Sequence, residues 1–136
     1  MVNSSHDFRK DEYSSSVNIS NNLVDIFCEI SGDYNPLHID PEYAKERGFP
    51  GKVVYGNVLG LLVSQLVGMK LWSRDVMLLS QTVNYKHPIY VGDQIRVLGK
   101  VTFFSESTSV AELKLIFYNQ NEDIVASGKC SLKVLS

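Results

Sequence analysis

The chain is short of the features that mark a protein for nucleic acid, for a metal or for a bilayer. Its 13 lysines and arginines are outnumbered by 15 aspartates and glutamates, a formal net charge of −2. That leaves no basic footprint for a phosphate backbone, so nucleic acid is not an expected partner. Two cysteines, Cys28 and Cys130, are too few and too far apart for a zinc ribbon, a C-x-x-C redox motif or a disulfide scaffold. Asp33, His38 and Asp40 cluster in sequence, but no further histidine or cysteine joins them, so no metal and no cofactor is expected. No apolar run approaches the roughly 20 residues a membrane helix needs, and no membrane association is expected. Met1 to Tyr13 are polar, carry charges of both signs and lack the apolar stretch and cleavage site of a secretory signal, so a reducing cytoplasm is the expected setting. Without repeats, proline-rich tracts or low-complexity linkers, residues 1–136 read as one domain, with 1–13 a flexible lead-in.

What remains is an ordinary globular composition, 44% hydrophobic and 21% charged over 136 residues. A domain of this size buries roughly two thirds of the surface its unfolded chain exposes. Ser20 is a candidate N-cap, and Leu23, Ile26, Phe27 and Ile30 follow at helical spacing until Gly32 interrupts them. Pro41 opens a second short helix, Glu42–Arg47, which Gly48 ends. Between Gly56 and Met69, apolar residues point in every direction around a helix, the pattern of one buried on most sides. From Val76 onward the period changes to two. The runs Met77–Tyr85, Ile95–Phe103, Ala111–Phe117 and Ile124–Val134 each read as a strand with one apolar face. Gly92-Asp93, Ser105-Glu106-Ser107 and Asn119-Gln120-Asn121 supply turns between them, and short connections favour antiparallel neighbours. The expected class is α+β, a curved antiparallel sheet wrapped around one long central helix.

The segment Gly32-Asp33-Tyr34-Asn35-Pro36-Leu37-His38 carries the chemistry. A carboxylate and an imidazole five residues apart share no face of a regular helix or strand, but a proline-containing loop can fold them toward one point. Adding water to a carbon–carbon double bond needs such a pair, one group to take a proton from water and one to orient it or supply a proton to the neighbouring carbon. Spacing alone is equally met by an aspartate that caps a turn and a histidine satisfied by its surroundings.

The residues around the pair decide. Gly32-Asp33-x-Asn35-Pro36-Leu37-His38-x-Asp40, then Ala44, Phe49, Val53-Val54-Tyr55-Gly56 and Gln81-x-Val83-x-Tyr85-Lys86-x-Pro88-Ile89-Tyr90-Val91-Gly92-Asp93, resemble the MaoC-like dehydratase family, which includes the (R)-specific enoyl-CoA hydratases. The resemblance implies a hot dog fold, activity on acyl thioesters of coenzyme A or acyl carrier protein, and a homodimer or larger assembly. It implies Asp33 and His38 as the catalytic pair, Asn35 as a residue that fixes their loop, and Ser64 as a polar group reaching the site from the central helix. Gly56 falls where that helix begins and where a backbone N–H can meet the thioester carbonyl.

One position departs: the family usually has His-Gly where this chain has Tyr55-Gly56. Tyrosine keeps a ring and a hydrogen-bonding tip but cannot become a cation, so Tyr55 is either part of the site or packing behind it. The reaction expected is reversible hydration of a trans-2-enoyl thioester to the (R)-3-hydroxyacyl thioester. The rivals are a hot dog thioesterase and a non-catalytic acyl-thioester binding domain. Leu59, Leu62 and Val63 are candidates for the acyl pocket, and Lys45, Arg47, Lys52, Lys70 and Arg74 for the carrier's negative charge. His87 reads as a loop or rim residue. The sequons Asn3-Ser4-Ser5 and Asn18-Ile19-Ser20 carry no weight without secretion, and Gly56-Asn57-Val58-Leu59-Gly60 lacks the strand and third glycine of a dinucleotide fingerprint.

Overall fold

The structure, a computed structural model, describes residues 7, 8 and 11–135. Most of the expected flexible lead-in, residues 1–13, lies outside these. Five strands form one antiparallel sheet in the order β1-β3-β4-β5-β2. They are β1 (Glu12–Asn18), β2 (Val76–Tyr85), β3 (Gln94–Ser105), β4 (Val110–Tyr118) and β5 (Ile124–Val134). Between β1 and β2 come α1 (Asn21–Ser31), α2 (Pro36–Ile39), α3 (Pro41–Glu46) and α4 (Val58–Gln65), the last continuing into a π-helical turn, Leu66–Lys70. This is the hot dog arrangement that the resemblance implies.

Burial explains it. Along α4 and the π turn, Val58, Leu59, Leu62, Val63, Leu66 and Val67 recur at helical spacing and are all buried. They join Ile95, Val97, Leu113, Leu115, Phe117 and Leu132 of the sheet in one core, each large side chain contributing roughly 1.5–3 kcal/mol of transfer free energy. The helix is not enclosed all round, however. Leu61 and Met69 are about half exposed, so within one chain the sheet sheathes one side only.

Four details differ from the expectation. Ser14-Ser15-Ser16, where the sequence patterns predict no strand, lies in β1, which pairs with β3 from Glu12↔Lys100 to Asn18↔Gln94. Its inward face is Tyr13, Ser15 and Val17, with Tyr13 and Val17 packed partly buried against the core; the serine at the centre breaks the apolar alternation by which strands are recognised, and it is satisfied by donating to the Gln65 side chain. Phe103 is exposed because the β3–β4 register shifts between Val101 and Phe103, turning Phe104 inward instead. The segment 86–93 is not a turn between neighbours but a crossover, since β2 and β3 lie apart in the sheet. In β2, finally, Met77, Leu78, Leu79 and Tyr85 are all exposed, so this outer strand has no buried apolar face. Cys28 and Cys130 are free thiols, and burial pushes that of Cys130 up to about 11.

Gly128 on β5 opposes Val83 on β2, and an added Cβ would stand 1.9 Å from the Thr82 carbonyl oxygen. Because that neighbour is backbone, β2 must move off β5. Gly128→Ala is expected to lower unfolding free energy by more than about 2 kcal/mol in urea titration, and an unchanged midpoint would contradict this register.

Candidate active site

Each element around Asp33 and His38 is stopped or started by a small polar residue. Ser20 caps α1, its hydroxyl accepting the Leu23 N–H. The helix ends at Gly32, whose φ of 71° is left-handed and whose N–H donates to the Cys28 carbonyl, the glycine role sequence predicts. The chain then turns irregularly: the Asp33 N–H donates to Ser31 Oγ at 3.1 Å, and Asp33 Oδ1 accepts the Asn35 N–H at 3.0 Å. Asn35 Oδ1 in turn accepts the Leu37 N–H at 3.0 Å, capping α2 with Pro36 in its first turn. Asp40 repeats the device for α3, accepting from Glu42 and Tyr43. The expected irregular segment is therefore shorter than it looked, and His38 sits on a helical turn.

That turn is held by Val53. The Val53 N–H donates to the Leu37 carbonyl at 3.1 Å, and its carbonyl accepts from His38 Nδ1 at 2.6 Å. A carbonyl only accepts, so Nδ1 carries a proton and Nε2 is left to exchange one. Nε2 faces Asp33 Oδ2 at 3.8 Å, with the imidazole mostly covered and the carboxylate 45% exposed. The five-residue spacing does bring the pair together.

Behind them lies Tyr55, 2% exposed. Its hydroxyl donates to the Asp33 carbonyl at 2.6 Å, and its ring lies 4.1 Å from the His38 ring and 4.8 Å from Phe27, centre to centre. Burial, then the bonded Cys28 side chain and the nearby Asp33, push the phenol above its ordinary range, so it stays a neutral donor at working pH. Gly56 and Asn57 follow in a tight turn, with the Val58 N–H bonded to the Tyr55 carbonyl and the Leu59 N–H to the Gly56 carbonyl. Neither the Gly56 nor the Asn57 N–H has an acceptor among the described residues, as a helix start leaves its first donors. An added Cβ at Gly56 would stand 3.0 Å from the Tyr85 ring.

Asp33, His38, Tyr55, Gly56 and Asn57 line one cavity of about 720 Å³, whose apolar wall includes Phe27, Phe49, Leu59, Tyr85 and Ile89. Lys86 and the exposed His87 also line it. Asn35 stays outside and acts through its cap. Ser64 is exposed on α4 and absent from the lining, because the helix turns that face away; within one chain it does not reach the site. Leu62 and Val63 point into the core instead, leaving Leu59 as the acyl-pocket candidate in the wall, and the cation in the lining is Lys86 rather than Lys45, Arg47, Lys52, Lys70 or Arg74. Tyr85 and Lys86 carried a sequence signal, the Tyr85-Lys86-x-Pro88 motif, but nothing in its spacing assigned them a role. Among the described residues no group of three acidic, histidine or cysteine side chains is placed to hold a metal, and no helix is long and apolar enough to cross a membrane.

The MaoC like domain family matches residues 6–114. This chain belongs to the MaoC-like dehydratase family. Over 111 residues it is 32% identical to an (R)-specific enoyl-CoA hydratase of Aeromonas caviae, covering 82% of this chain and 83% of that protein. It is 28% identical over 111 residues to a mitochondrial 3-hydroxyacyl-[acyl-carrier-protein] dehydratase of Arabidopsis thaliana, covering 79% of this chain and 66% of that one. The solved structure of an (R)-hydratase from A. caviae involved in PHA biosynthesis superposes with a TM-score of 0.86 at 29% identity, over 92% of this chain and 95% of that one. The caps around the loop set where the pair stands. Asn35→Ala removes one cap, and a loss of about 1 kcal/mol in unfolding free energy is expected; no loss by chemical denaturation would deny it that structural role.

Proposed function

We propose that this chain reversibly adds water across the double bond of a trans-2-enoyl thioester to give the (R)-3-hydroxyacyl thioester, with Asp33 and His38 as the catalytic pair. The observation that carries the reading is the 3.8 Å separation of Asp33 Oδ2 and His38 Nε2 at the wall of the cavity. It is too long for a direct hydrogen bond and suits one water lying about 2.8 Å from both. In hydration, the water oxygen bonds to C3 as the Asp33 carboxylate takes one of its protons. The double-bond electrons move onto the thioester carbonyl, and His38, which enters the cycle as the imidazolium with both ring nitrogens protonated, delivers its Nε2 proton to C2. A proton then passes from Asp33 to His38, restoring both groups. The charge that develops on the carbonyl oxygen meets the Gly56 N–H and the positive end of α4.

The apolar wall of Phe27, Phe49, Leu59 and Ile89 suits an acyl chain, and Lys86 suits the negative charge of the carrier, coenzyme A or acyl carrier protein. The named activities of the relatives support the thioester and its (R) stereochemistry.

A homodimer is part of the same proposal. Its two outer strands differ: β1 exposes Glu12, Ser14, Ser16 and Asn18, whereas β2 exposes Met77, Leu78 and Leu79. A long apolar edge with unpaired backbone groups is a template for pairing, and it lies on the same molecule as the half-exposed Leu61. A solution mass of two chains is expected by light scattering; a mass of one chain contradicts the dimer.

With crotonyl-CoA, loss of enoyl absorbance without release of free thiol is expected. Thiol release would mark a thioesterase, and binding with neither change a non-catalytic acyl-thioester binding domain. Asp33→Asn and His38→Ala should each lower turnover by about 10²- to 10⁴-fold; near-normal rates in both would remove the mechanism.

A further inference from the structure

Tyr55 stands where relatives of this family usually have histidine, and its contacts give it a definite task. Its hydroxyl donates to the main-chain carbonyl of Asp33, at 2.6 Å. The same carbonyl receives the Cys28 Sγ at 3.5 Å, so two side chains hold a residue of the irregular stretch 32–35 between α1 and α2. The face of the Tyr55 ring lies against the His38 imidazole, 4.1 Å away with the planes 32° apart. Phe27 of α1 backs the ring from its other neighbour position at 4.8 Å. One buried side chain thus touches both members of the pair. It reaches the backbone of one and the ring of the other.

The stretch it holds needs holding. Asp33 is otherwise fixed by its own turn, through Ser31 Oγ on its N–H and the Asn35 N–H on its Oδ1. Both bonds are exposed, and water competes with them, so each adds little net hold. A fully buried phenol is a stiffer anchor, because its ring has few rotamers and cannot swing away from packed neighbours.

We propose that Tyr55 is a positioning residue: it fixes the Asp33 backbone from behind and braces the His38 ring, presetting the separation of Oδ2 and Nε2 before substrate enters. The inference rests on the reading of Asp33 and His38 as the catalytic pair. Tyr55 itself moves no proton. Misplacing one of two reacting groups by about 1 Å costs up to about 100-fold in rate while leaving substrate affinity to the rest of the cavity.

Tyr55→Phe deletes one oxygen and keeps the ring, and is measured beside Asp33→Asn in the same assay of crotonyl-CoA hydration. Expected is a kcat lowered about 10- to 100-fold with KM within about twofold of the parent, and faster hydrogen exchange of the Asn35 amide with the α1 amides unchanged. Wild-type kcat in Tyr55→Phe with Asp33→Asn inactive overturns the inference alone. Wild-type kcat in Asp33→Asn removes the catalytic pair and the inference together. A measurement on the unaltered protein guards against a variant that does not fold: the Tyr55 hydroxyl proton should exchange slowly with solvent in its NMR spectrum and lie close to the Asp33 backbone. A rapidly exchanging hydroxyl overturns the proposal.

Discussion

The site depends on the backbone of Val53. Its N–H and carbonyl both bind α2, one at the Leu37 carbonyl and the other at His38 Nδ1. The next residue, Val54, donates to the Ile89 carbonyl of the crossover between β2 and β3 at 2.9 Å. Two consecutive residues therefore tie the loop that carries the imidazole to the segment that carries Lys86 and His87. A ring whose Nδ1–H is committed to a carbonyl has its tautomer and its orientation set together, and Nε2 is aimed by consequence. Loosening Val53 would release the imidazole, the wall of the cavity and the approach to α4 at once.

The second constraint is hydrophobic. The sheet packs against one side of α4, and the helix start is then carried to the polar end of the cavity, so burial of Val58 and Leu59 also decides where the Gly56 N–H stands. Tyr85 makes the link tight: its ring occupies the space a side chain at position 56 would need. Glycine there serves close approach between a strand residue and a helix start, and the same closeness leaves the donor open to the cavity. The unsheathed side of the helix and the apolar β2 edge are the remainder of this arrangement, surface that one chain leaves unsatisfied.

How much of this was legible in the residues follows from what each signal encodes. The caps and breaks at Ser20, Gly32, Pro36, Pro41 and Gly48 are local chemistry, and they placed α1 and α3 within a residue or two. β3, β4 and β5 announced themselves by alternation because one face of each is buried. β1 did not, since its one fully buried position is Ser15, a serine set between the partly buried Tyr13 and Val17, and so short a face leaves little apolar alternation to read. Phe103 was misplaced by a bulge, which shifts faces without leaving a mark in the alternation. The crossover after β2 was hidden for a similar reason: strand order is a long-range property, and Gly92-Asp93 turns the chain without saying where the next strand lies. At the site, the Asp33–His38 pairing was visible through its motif, whereas the hold of Tyr55 on the Asp33 carbonyl joins residues 22 positions apart and no spacing rule reaches it. Ser64 is a position matched by motif whose side chain one chain alone turns outward.

The chemistry then reduces to geometry. A carboxylate, an imidazole and a helix start lining one cavity with an apolar wall favour attack on one face of a planar alkene. The central claim, that a water held between Asp33 and His38 is the nucleophile, is tested most directly by the product of crotonyl-CoA hydration in ¹⁸O-labelled water. The expected product carries the label at C3 in a single configuration, R; a racemic product, or one without label at C3, would contradict it.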